Sequence, residues 1–152
     1  MDTENKKSDF TFVIQGSFHP NTIYAIPYYL MYGDVMISTW KHSPPIMNNG
    51  VIRNINQHPF KNLQNFLKFY DKEELSEKLD FIVSDLPSKK YFFENQIYNA
   101  KNCFYQFKST YVGLEQVKTK YCIKVRSDEL YSNFDEIIRK TKECDGKKLI
   151  TT

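Results

Sequence analysis

The residues of this chain best suited by type and spacing to chemistry are Arg126 and Asp128, in the run Val125-Arg126-Ser127-Asp128. They close YCIKV, a β-branched and aromatic run of strand length that begins at Tyr121. Alternate residues of a strand share a face, so the guanidinium and the carboxylate fall on the same side. Two chemistries fit this arrangement. The pair is a surface ion pair, or Arg126 contacts a phosphate while Asp128 holds a hard divalent cation that neutralises a diphosphate leaving group. Asp128 is also at home as a cap of the helix expected after it.

Gln15 and Gly16 end a second such run, FTFVIQ from Phe10, and a glycine there allows a nucleotide to approach the backbone closely. The following GSFHPN matches neither GxGxxG nor GxxxxGK, which argues against a dinucleotide site or a P-loop. Asp85, in Ser-Asp-Leu-Pro, suits either a turn or a ribose or base contact. Trp40, just past a strand, suits packing or closure over a nucleobase or sugar ring. His19, His42 and His58 stand apart with no HExxH-like spacing and read as solvated loop residues. Cys103, Cys122 and Cys144 are odd in number and widely separated. They suggest no disulfide framework, zinc site or Cys-His nucleophile, and are expected in apolar surroundings of a reducing compartment.

Positioning these residues requires an alternation of strands and helices. After a polar tail over 1–9, FTFVIQ is the first strand. Asn21 and Thr22 start a helix through IYAIPYYLMY, with Pro27 in its first turn or kinking it and Gly33 as its stop. VMIST from Val35 is the next strand. The turn-rich stretch from Trp40 to Pro59 predicts a long loop with one short strand near 51–55. Residues 61–79 read as partly helical, and LDFIVSDLP contributes a further strand. Ile97, Phe104, Phe107, Tyr111, Leu114 and Val117 recur at three- and four-residue spacing, predicting a helix over 95–118 that packs this face on a sheet. After the Tyr121 strand, a helix from Asn133 to Lys142 and a last strand in KKLITT complete the chain.

This alternation predicts an α/β fold, a mostly parallel sheet with helices on both faces. Open sheets of this kind bind ligands at the carboxyl ends of their strands, here Gln15–Gly16, Ser38–Trp40, Ser84–Asp85 and Arg126–Asp128. The 152 residues suit one domain over 10–152, with 41% hydrophobic residues to build its core. The net charge of +3 is spread along the chain and gives no support to nucleic-acid binding. The polar N-terminus lacks an apolar leader, and the longest apolar run, Ile23 to Tyr32, is too short for a transmembrane segment, so a cytoplasmic protein is expected.

Taken together, VIQGSF at Val13–Phe18, ISTW at Ile37–Trp40, STYVGLEQVKTKYCIKVRSD at Ser109–Asp128 and the closing LITT resemble the WavE family of lipopolysaccharide-synthesis proteins. The resemblance spans nearly all of the chain after residue 9. Its most specific part is the KxRSD ending, preceded by a Ser-Thr-x-x-Gly-Leu helix. It implies a glycosyltransferase with a GT-A-like, Rossmann-like nucleotide-diphospho-sugar fold, in which an Asp-x-Asp motif binds the metal and the donor diphosphate.

In this chain that motif is Arg126-Ser127-Asp128, without the first Asp, which leaves Asp128 as the implied ligand of Mn²⁺ or Mg²⁺, alone or with Glu129. By position, the resemblance sets Gln15 and Gly16 beside the nucleotide, Asp85 near the base or ribose, and Arg126 near the diphosphate. Tyr105, before Gln106, stands where the family pattern has Arg. The implied function is transfer from a nucleotide-sugar donor to a glycan or lipid-linked acceptor, with this chain the donor-binding half and no general base assigned. The alternative is a non-catalytic module of an assembly, with a partner or a second copy docking near Leu149 and Ile150. A nucleotidyltransferase would share the sheet but lacks a Gly-rich, basic loop after the first strand.

Overall fold

FTFVIQ forms an inner strand, β1 (Phe10–Gln15), and all six of its residues are buried. A continuous apolar run is what a strand covered on both faces requires. Helix α1 (Pro20–Leu30) and β2 (Asp34–Trp40) follow, and every β2 residue after Asp34 is buried. Next come the short β3 (Ile46–Asn48) and β4 (Val51–Arg53), α2 (Leu63–Phe69), a 3₁₀ turn at Glu73–Lys78 and β5 (Leu79–Ser84). The chain continues through α3 (Lys89–Glu94), α4 (Lys101–Glu115), β6 (Tyr121–Arg126) and α5 (Phe134–Glu143). This computed structural model describes residues 8–16, 19–40, 46–48, 51–53, 63–85, 88–95 and 101–144.

Among the described residues, the main sheet has four strands in the order β5-β2-β1-β6, all parallel. The outer strands β5 and β6 are less buried than the inner pair, as their edge positions dictate. The expected α/β fold with a parallel sheet is therefore present. The stretch after Trp40 holds a second, two-stranded antiparallel sheet, β3 with β4, where one short strand was expected. The strand expected in KKLITT lies outside the described residues, as do Leu149, Ile150, His42, His58 and Ile97.

One face of the sheet carries an aromatic core. Phe12 and Ile14 of β1, Val35 and Ile37 of β2 and Val125 of β6 pack against Ile23, Ile26 and Tyr29 of α1, Phe66 and Leu67 of α2, and Phe134 of α5. Phe12 stacks on Tyr29 at 5.0 Å between ring centres, and Phe134 meets both edge-on at 4.9 and 5.2 Å. Such geometry adds about 0.5–1.5 kcal/mol per pair beyond area burial.

Helix α4 covers the opposite face, and it does so with a different stripe from the one its apolar spacing predicts. Tyr105, Ser109 and Gly113, four residues apart, are the buried positions. Phe107, Tyr111 and Leu114 are 65%, 47% and 38% exposed. The reason is close approach: a Cβ on Gly113 would lie 2.6 Å from Val13 Cγ1 and 3.1 Å from Ser38 Cβ. Small residues at Ser109 and Gly113 let the helix backbone sit on β1 and β2 there, while Tyr105, nearer the helix start, packs on Trp40. Of the helix expected over 95–118, the described part is α4, Lys101–Glu115, with α3 a separate element before it, and 96–100 lie outside the described residues.

Helix α1 starts at Pro20, one residue ahead of Asn21. Its N-cap is His19, whose Nδ1 accepts from the Asn21 N–H at 3.2 Å, and Pro20 takes the first-turn position where its missing N–H costs nothing. Pro27 lies in the second half of the helix rather than its first turn, on the exposed side.

Candidate functional site

The four expected strand ends do come to one edge of the sheet. The register pairs Arg126 with Gln15, Gln15 with Ser38 and Ser38 with Ile82, a row that crosses all four strands on the α4 side. Gln15, Gly16, Arg126 and Asp128 meet at its β1–β6 end. Asp85, exposed just past β5, lies three strand spacings from β6, roughly 14 Å.

Gly16 has φ +121°, and a Cβ there would lie 2.6 Å from Ser127 Oγ. The glycine therefore admits the Ser127 side chain rather than leaving open space for a ligand. The Ser127 N–H extends the β1–β6 ladder by donating to Gln15 O at 2.9 Å, and the Gly16 N–H donates to Ser38 O at 3.2 Å.

Gln15 is buried, and its Oε1 accepts from Ser109 Oγ at 2.9 Å. The same hydroxyl lies 2.8 Å from Tyr105 O, so its single proton serves either acceptor. Ser38 Oγ donates to Ser109 O at 2.6 Å. Gln15 and Ser38 thus anchor α4 from below. Trp40 is also a packing residue here: it is 4% exposed and meets Tyr105 edge-on at 5.6 Å. Thr39 beside it is buried, and its Oγ1 has no hydrogen-bond partner among the described residues.

The first turn of α1 clamps the segment after β6. Thr22 Oγ1 donates to Ser127 O at 2.8 Å, and Asn21 Nδ2 donates to Asp128 O at 2.9 Å. This explains why neither caps the helix: their polar groups are spent on a partner more than 100 residues along the chain. His19, read as a solvated loop residue, instead stands at this site as the α1 cap.

At the surface, Arg126 and Asp128 form a two-pronged pair, Nε to Oδ1 at 2.9 Å and Nη2 to Oδ2 at 2.7 Å. The ion-pair reading of the two residues is thus realised. The hydrogen bonds from Arg126 hold the Asp128 carboxyl below its ordinary range, with a smaller contribution from His19, and in return raise the guanidinium. Glu129 sits 3.6 Å from Arg126 Nε and accepts from the Tyr131 hydroxyl. Burial, then Glu129, pushes Tyr131 up to about 12, so that phenol stays protonated as a donor.

These carboxylates do not make the donor set of a divalent cation. Both Asp128 oxygens are engaged by Arg126, and no group of three His, Cys, Asp or Glu side chains able to hold a metal forms among the described residues. The three cysteines are all exposed at the surface, not in the apolar surroundings expected of them.

Two open cavities, about 620 and 310 Å³, lie at the other end of the sheet, the first beside Phe10 and Gly33 and the second beside Asp34 and Asp80. Neither is lined by Gln15, Gly16, Ser38, Asp85, Arg126 or Asp128. Among the described residues, no helix is long and apolar enough to cross a membrane. Comparison with family models, curated proteins and solved structures gave no match.

Proposed function

We propose that this chain is a glycosyltransferase-like domain that binds a nucleotide-diphospho-sugar donor at the carboxyl end of its parallel sheet. The observation that carries this reading is the meeting of the α1 N-terminus and Arg126 at the β1–β6 end. The first turn of α1 has no acidic side chain, so the positive end of its dipole and the Arg126 guanidinium are the groups there that attract an anion. In transfer, positive charge held at the diphosphate would stabilise the leaving group as the sugar moves to a glycan or lipid-linked acceptor. The resemblance to WavE proteins agrees with this reading. Calorimetric titration with UDP, GDP and their sugar conjugates tests it, with adenine nucleotides as the comparison. Saturable binding of a diphosphate or its sugar conjugate is the expected result, and its absence from a folded sample overturns the reading.

A second reading, a non-catalytic module of an assembly, is favoured by the outward Phe107, Tyr111 and Leu114 of α4. Phe107 and Tyr111 stack on each other at 5.8 Å, forming an exposed aromatic ridge. Concentration-dependent mass by light scattering, reversed by Phe107→Glu, would support it; a monomer at all concentrations would remove it.

A further inference from the structure

A diphosphate bound at the end of β6 would sit beside Asp128 and Glu129, so its charge must be balanced there. The carboxylates do not suit a divalent cation, whereas Arg126 presents a planar fork that fits a phosphate as well as a carboxylate. Resting on the donor-binding reading above, we infer that Arg126 neutralises the donor diphosphate in place of a metal, and that Asp128 is its internal counter-ion until the diphosphate displaces it.

The geometry supports an exchange of anions on one cation. Asp128 accepts from Nε and Nη2, the edge of the guanidinium that a phosphate would use, so the two anions compete for the same donors. Both side chains are substantially exposed, at 41% and 44%, and exposed pairs are weak enough to open without disturbing a core. Thr22 and Asn21 hold the Ser127 and Asp128 carbonyls. The backbone therefore stays in place while the Asp128 side chain turns away. Arg126 itself is fixed at its root by the ladder to Gln15.

The test is titration of the full chain with UDP, GDP and inorganic pyrophosphate, once in excess EDTA and once in excess Mg²⁺. Wild-type affinity for a diphosphate is expected to be the same in both. Arg126→Met is expected to weaken it by about tenfold or more, and Asp128→Asn to strengthen it about threefold to tenfold by removing the competitor. Arg126→Lys keeps the charge but loses the fork and should weaken binding by a smaller factor, which preserves the test should the methionine variant fail to fold. Binding that needs Mg²⁺ and is abolished by Asp128→Asn would overturn the inference and leave donor binding intact. So would binding in EDTA that both Arg126 variants leave unchanged. No binding by the wild type or Asp128→Asn in either buffer would overturn the donor-binding reading itself.

Discussion

The two faces of the sheet are built on opposite principles. The α1–α2–α5 face is filled by large rings, with Phe12, Tyr29 and Phe134 in mutual contact. The α4 face combines small and polar groups, Ser38, Ser109 and Gly113, that bring backbone close to backbone, with a single aromatic pair, Trp40 on Tyr105, at one end. The first face gains its stability from area removed from water, the second from close approach and satisfied hydrogen bonds. The polar face also roots the candidate site, since Gln15 and Ser38 bond to α4 directly beneath the strand ends.

Substitutions that exchange these principles should break the contrast. Phe134→Ala removes a fully buried ring from the aromatic face and should cost about 3–5 kcal/mol by urea denaturation. Gly113→Ala, favourable in an isolated helix, should here cost about 1–3 kcal/mol, because its methyl meets the β-branched Val13 at 2.6 Å. Thr39→Val should act in the opposite direction. It replaces a buried, unpartnered hydroxyl by a methyl of the same shape and should stabilise by about 1 kcal/mol, read as a raised melting temperature.

Phe107→Ser should change stability by no more than about 0.5 kcal/mol, although this phenylalanine lies on the face that the apolar spacing marks as core. The smallest effect concerns pH. No charged side chain is buried among the described residues, so acid sensitivity falls partly to Asp128. Its folded pKa is lowered from 3.8, so the pair contributes stability above that value and loses it as pH falls through the folded pKa. Solvent screening limits this to a few tenths of a kcal/mol, roughly, and Asp128→Asn should remove it from the acid limb of urea midpoints plotted against pH.

Much of this organisation was legible in the residues. β1 reads directly from FTFVIQ because a strand buried on both faces is a continuous apolar run. The four strand ends follow from the alternation of elements, and the side-by-side placement of Arg126 and Asp128 follows from strand periodicity. The face of α4 was not legible, because hydrophobic spacing counts side chains that prefer burial and ignores helices that pack through glycine and serine. The roles of Asn21, Thr22 and Ser109 were equally hidden: each bonds to a segment far away in sequence, so no local pattern reports it. Gly16 reads in sequence as room for a nucleotide beside the backbone, whereas the group that approaches it is Ser127 of the same chain.

Amide chemical-shift mapping on titration with UDP and GDP tests the account most directly, because it reports where a diphosphate lands as well as whether it binds. The account predicts shifts at Gly16, Asn21, Thr22 and Ser127 through Glu129, with little change at Asp34 and Asp80 across the sheet. Shifts confined to the Asp34–Asp80 end, or none at saturating nucleotide, would contradict it.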